Sequence, residues 1–224
     1  MRFRCSFVLL AAVSFSTVLL RANPITLTVS SGGNTQTFNS STGFVSYLGP
    51  VGQPTKPLFF VNIGGGTQPV LPAPAMLALG SIDYKTASNC STNCLLNVSL
   101  FASGFTGSYT GFQSSLNGMF LEGGSTTAHY TLQAFLNPLS GPPILLSSCF
   151  GTTGSPASCQ MFTPYNITGP FGETLTLSLD SNIGAGVFTN SYILGSPVPE
   201  PGSLVLLGSG LLGFAGIGRK LFNK

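Results

Sequence analysis

Apolar and hydroxyl-bearing residues trade places with a period of two along several stretches of this chain. Ile25, Leu27 and Val29 alternate with Thr26, Thr28 and Ser30. Ala128, Tyr130, Leu132 and Ala134 alternate with Thr127, His129, Thr131 and Gln133, and Leu175, Leu177 and Leu179 with Thr174, Thr176 and Ser178. Successive side chains of an extended strand leave on opposite faces, so each stretch offers one apolar face to a core and one hydroxyl face to water. PLFFVNI (57–63), AMLALGSIDY (75–84), LLNVSLF (95–101) and GVFTNSYIL (186–194) are further strand candidates. Gly, Pro, Asn and Ser clusters punctuate them at short intervals, and no stretch repeats with the 3.6-residue period of a helix. The triple glycine Gly64-Gly65-Gly66 lacks the Lys and helix start of a phosphate loop and reads as a turn. Asp180 to Gly186 alternates oxygen ligands before a glycine, as a calcium loop does. A tight site wants several carboxylates and only Asp180 supplies one, so a plain β-turn is expected. The pattern predicts an all-β chain: one antiparallel β-sandwich or jelly-roll-like domain over residues 23–196.

The two ends break that pattern. MRFR at the front is a positive segment, Cys5 to Leu20 is an apolar run, and Ala22 offers a small residue before a cut. This is the layout of a secretory signal peptide over residues 1–22, with mature protein beginning near Asn23. At the other end Ser203 to Ile217 is fifteen residues without a charge. As a helix it reaches about 23 Å, against a bilayer core of about 30 Å. Its glycines make it a poor helix in water, but lipid forces one, because backbone groups there have no other partners. Arg219, Lys220 and Lys224 follow as a basic stop that keeps the C-terminus cytoplasmic. Ahead of the run, Pro199 and Pro201 hold Glu200 in an extended, accessible backbone. An extended peptide beside a membrane is what a membrane-embedded protease or transpeptidase can grip.

Charge then narrows the function. Only 6% of the 224 residues are charged, and six of the eight cations lie in the two terminal segments. Between them Lys56 and Lys85 face Asp83, Glu122, Glu173 and Asp180, two cations against four acids. Nucleic-acid binding needs clustered Lys and Arg to displace counterions, and the body has no such cluster. Export places Cys90, Cys94, Cys149 and Cys159 in an oxidising compartment. Their even number predicts two disulfides, with Cys90–Cys94 and Cys149–Cys159 favoured because each pair brackets a turn-rich stretch. A zinc site is the alternative, but the spacing is wrong and no His is near; no metal or cofactor is expected.

Candidate chemistry in the body is sparse. The lone His129 falls on the hydroxyl face of its strand and reads as a polar surface residue. Glu173 and Asp180 bracket one strand, too far apart to act as a carboxylate pair. The sequence has no G-x-S-x-G elbow and no H-E-x-x-H helix, so the chain is not expected to be an enzyme. Sugar binding is the better ligand reading for an exported sandwich, although the chain has no Trp and must rely on residues such as Tyr47, Tyr109 and Tyr165. Asn39, Asn89, Asn97 and Asn166 begin N-x-S/T sequons.

Pro199-Glu200-Pro201, the Gly-rich apolar run and Arg219-Lys220, in that order at residues 197–224, resemble the PEP-CTERM sorting signal of Gram-negative bacteria. The resemblance implies that an exosortase, an integral-membrane cysteine transpeptidase, recognises and cleaves this tail. It also implies an exported protein, held transiently in the inner membrane and then associated with the cell surface, extracellular polysaccharide or biofilm matrix. Two readings of the body follow: a non-enzymatic surface or matrix protein, or a carbohydrate-binding or carbohydrate-active domain with the same tail.

Overall fold

A computed structural model of the chain describes residues 23–68, 75–90, 94–120, 129–152, 157–181 and 185–197. The signal peptide and the whole sorting tail beyond 197 lie outside the described residues. The described chain forms strands β1 (Ile25–Ser31), β2 (Asn34–Ser40), β3 (Phe44–Gln53), β4 (Lys56–Gln68), β5 (Met76–Thr86) and β6 (Cys94–Phe105). It continues with β7 (Ser108–Phe120), β8 (His129–Pro138), β9 (Ile144–Thr152), β10 (Ala157–Thr168), β11 (Phe171–Ser181) and β12 (Ala185–Pro197). They build two six-stranded antiparallel sheets, one ordered β2-β1-β6-β11-β8-β9 and the other β10-β7-β12-β5-β4-β3.

The alternating segments become strands with one buried face, as their period requires. Ile25, Leu27 and Val29 of β1 are buried, as are Tyr130, Leu132 and Ala134 of β8 and Leu175, Leu177 and Leu179 of β11. Against them the other sheet buries Phe59, Ile63, Leu77, Ile82, Phe112, Leu116 and Ile193. Each such side chain contributes roughly 1.5–3 kcal/mol through the apolar surface it removes from water.

Three features tie the sheets together. Cys149 of β9 and Cys159 of β10 form a disulfide with Cα atoms 5.8 Å apart, joining the edge strand of one sheet to the edge strand of the other. The opposite open side is closed by the short β2–β3 connection and by Phe38 stacked on Tyr47, with ring centroids 4.5 Å apart. Between them, Tyr130 reaches across the core. Its hydroxyl donates to the Gly118 carbonyl at 2.6 Å and accepts from the Ala157 N–H at 3.0 Å. Its ring occupies the space a side chain at Gly151 would fill. Cys90 and Cys94 form the second disulfide, Cα atoms 6.0 Å apart, at the start of β6.

One expectation is overturned. Gly64-Gly65-Gly66 is not a turn; it lies inside β4, paired with β3 on one side and β5 on the other. Packing explains the glycines. A Cβ on the inward-facing Gly65 would stand 2.6 Å from Leu100 Cδ2, so the core across the sandwich admits no side chain there.

Candidate functional site

Around Gly64–Gly66 the outer face of β3, β4 and β5 is almost bare of side chains. Phe44 pairs with Gly66, Gly66 with Ala78, and Gly64 with Ser81. A Cβ added at Gly64 would meet nothing within 4 Å. The result is a groove of about 420 Å³, floored by Gly64, Gly66, Ala78 and Gly80 and walled by Phe44 and Met76, with Ser81 at its side; Thr67 also lines it, but its hydroxyl donates to the Gly43 carbonyl at 3.4 Å. No charged residue lines it. Phe44, 58% exposed, lies over Gly66, whose missing Cβ leaves it room.

The ionisable groups are arranged differently. Asp180 of β11 is paired opposite His129 of β8, a proximity the sequence could not place. His129 stacks on Phe150, ring centroids 5.5 Å apart, and its buried Nδ1 has no hydrogen-bond partner. Among the described residues no group of three His, Cys, Asp or Glu side chains could hold a metal ion.

Glu173 was grouped with Asp180 by sequence as one end of a strand; the structure buries it completely between the sheets. Neither carboxylate oxygen accepts a well-formed hydrogen bond. Burial pushes its pKa well above the ordinary carboxylate range, and the nearby Leu77 backbone N–H draws it back only in part. The phase of the strand carried the signal, since Glu173 shares its parity with the buried Leu175, Leu177 and Leu179.

Tyr109 stands close enough to Glu173 to feel its charge, and burial raises its own pKa. Its hydroxyl accepts from the Ala75 N–H at 3.2 Å, and the Ala75 carbonyl accepts from Gly195 at 2.9 Å. Tyr109 is also paired with Pro197, the last residue of β12. This cluster fixes where the chain leaves the sandwich. Pro199, Glu200, Pro201, Arg219, Lys220 and Lys224 follow it, outside the described residues. Among the described residues no helix is long and apolar enough to cross a membrane.

Residues 197–220 match the family model of the PEP-CTERM protein-sorting motif. The chain carries a PEP-CTERM sorting tail. The tail therefore begins at the residue where strand β12 ends. A PEP-CTERM motif implies export and exosortase-mediated sorting to the surface.

No curated protein matches the sequence. Among solved structures, TmCBM61 in complex with β-1,4-galactotriose is similar at 10% identity and TM-score 0.34, over 75% of this chain and 86% of that one. The CBM22-1–GH10 modules of Clostridium thermocellum xylanase 10B, complexed with xylohexaose, give 11% identity and TM-score 0.33, over 70% of this chain and 26% of that one. A family 6 carbohydrate-binding module gives 14% identity and TM-score 0.26, over 76% and 93%.

Proposed function

We propose that this protein is an exosortase substrate: an exported, non-enzymatic surface or extracellular-matrix protein delivered through its tail. The sorting-motif match at residues 197–220 carries the reading. In it, residues 1–22 direct export and are removed. Ser203 to Ile217 then halts in the inner membrane, with Arg219, Lys220 and Lys224 on the cytoplasmic side. Exosortase grips the extended Pro199-Glu200-Pro201 segment and cuts, and the sandwich passes to the surface or to extracellular polysaccharide. An inert body is supported by the burial of Glu173, which puts that carboxyl out of any substrate's reach. The intact mass of the released protein tests the proposal. It should begin near Asn23 and lack the apolar run; a product that keeps residues 203–224 would contradict it.

The groove supports a second reading, a carbohydrate-binding or carbohydrate-active domain with the same tail. Phe44 offers an exposed ring beside a flat glycine floor and Ser81, with no charge to repel or attract an ion. Glycan-array binding by the released protein, lost on Phe44→Ala, would establish this reading; no binding to any glycan would remove it.

A further inference from the structure

The described charges are segregated along the strand axis. Lys56, Asp83, Lys85 and Asp180 all stand at the end where β3 passes to β4 and β11 to β12. Among the described residues the opposite end is built from 23–24, 41–43, 106–107, 139–143 and 169–170, which read NP, STG, TG, LSGPP and GP. None of these side chains can ionise; an α-amino group freed near Asn23 would be the one exposed charge at this end. Glu173, the one described charged residue near this end, is buried. At its tip Leu139 is 83% exposed, followed by exposed Ser140, Gly141, Pro142 and Pro143.

The sorting tail departs from this same end. β12 runs toward it and is the third strand of six, flanked by β7 and β5, so the chain leaves from inside the end and not from an edge. Five residues, 198–202, separate Pro197 from the apolar run that starts at Ser203. Fully extended they span at most about 17 Å. The headgroup layer takes up about 5–7 Å of that. A six-stranded sheet is about 24 Å across, and strands of this length hold the charged end about 35 Å away. With so short a tether fixed near the middle of the end, the uncharged loops are brought to the lipid surface and the charged loops are kept from it.

We propose that this end, with no charged side chain on its surface, is a lipid-facing surface. While the tail is anchored, the sandwich stands on the phospholipid headgroups with Leu139 and the following Pro142 and Pro143 in the interface. The assignment rests on the anchored-tail reading above. An end without ionisable side chains at its surface loses little charge hydration on approaching the bilayer, and the single α-amino group freed near Asn23 is a cation that an anionic leaflet attracts. Ser41, Thr42 and Thr106 remain exposed there to exchange hydrogen bonds with headgroups. One loop alone is a weak anchor, so cutting the tail releases the domain.

The absence of Trp from the natural sequence makes a clean test available. The full chain carrying Leu139→Trp is reconstituted into phosphatidylethanolamine–phosphatidylglycerol vesicles whose acyl chains bear bromine. Phe150→Trp, at a 60%-exposed position toward the charged end of β9, is the comparison. Flotation is scored first; a chain that stays with the soluble fraction refutes the anchored tail and this assignment together. In floated vesicles we expect Leu139→Trp emission to shift to the blue and be quenched, and Phe150→Trp emission to stay unchanged. Unquenched, water-like emission from floated Leu139→Trp would overturn the lipid-facing assignment and leave the anchor intact. Protection of Leu139→Trp only when exosortase is present in the vesicles would overturn it too, in favour of the enzyme as the partner.

Discussion

Glu173 is an acid with nothing to gain from ionising, and its replacement by Gln should change how stability depends on pH. Its side chain is fully buried, and neither oxygen has a proper hydrogen-bond donor. Desolvation therefore raises its pKa well above the ordinary range in the fold, while the unfolded chain ionises normally. As pH rises the unfolded chain gives up this proton first. The fold's stability is thus full below the ordinary carboxylate range and is lost as pH climbs toward the raised folded value. The slope in that window is about 1.4 kcal/mol per pH unit, so between pH 5 and pH 7 the loss reaches at most about 2.7 kcal/mol. Glu173→Gln keeps the volume and cannot ionise. Urea unfolding of both proteins at half-unit steps over this range isolates the effect, because contributions common to the two cancel in the difference. We expect the wild type to weaken with pH relative to the variant, which should match or exceed it at pH 7. Parallel stability curves for the two proteins would refute the account of a neutral, buried Glu173.

Three further outcomes follow from the packing. Serine at both Cys149 and Cys159 should cost up to about 3 kcal/mol in urea unfolding, and at both Cys90 and Cys94 nearer 2 kcal/mol, since the loops they close span 10 and 4 residues. Gly65→Ala should destabilise by about 1–3 kcal/mol through its contact with Leu100, whereas Gly64→Ala, which meets nothing, should leave the unfolding midpoint unchanged or raise stability by up to about 1 kcal/mol. Tyr130→Phe should cost about 1–3 kcal/mol by stranding the Gly118 carbonyl and the Ala157 N–H, measurable by the same unfolding curves.

The parts of the fold legible in sequence were those where one face is buried and the other wet. β1, β8 and β11 have that character, and their alternation is visible in the letters alone. β2 and β10 are edge strands, each rich in partly or fully exposed positions, so no apolar phase marks them. β7 is an inner strand that buries Tyr109, Phe112 and Leu116, yet buried Gly111, Ser114, Ser115 and Gly118 stand among them and break the alternation that a hydrophobic pattern registers. Gly64-Gly65-Gly66 misled for a related reason: glycine signals a turn locally, but here it answers to Leu100 from a strand of the other sheet. The groove was out of reach because Phe44, Gly66 and Ala78 come together only through strand register. The disulfide pairing was readable from loop length, but its role in joining two sheet edges was not. The sorting motif was the clearest signal of all, because a chain-terminal tag works through local sequence and needs no fold to be recognised.

Glu200 offers the most direct test of the central claim. It is the only charge between Asp180 and Arg219, and as a plain surface carboxylate between two prolines it would be dispensable. Asp180→Ala is the suitable control, since it removes a partly exposed charge in the same chain, whereas Glu173 is part of the core. The measurement is the intact mass and membrane fraction of Glu200→Ala, Asp180→Ala and wild type in the native host. If exosortase reads the motif, Glu200→Ala should be exported yet remain full length at its C-terminus and membrane-bound, while the other two are trimmed and released. Trimming and release of Glu200→Ala at the wild-type level would contradict the account and reduce the tail to a simple anchor.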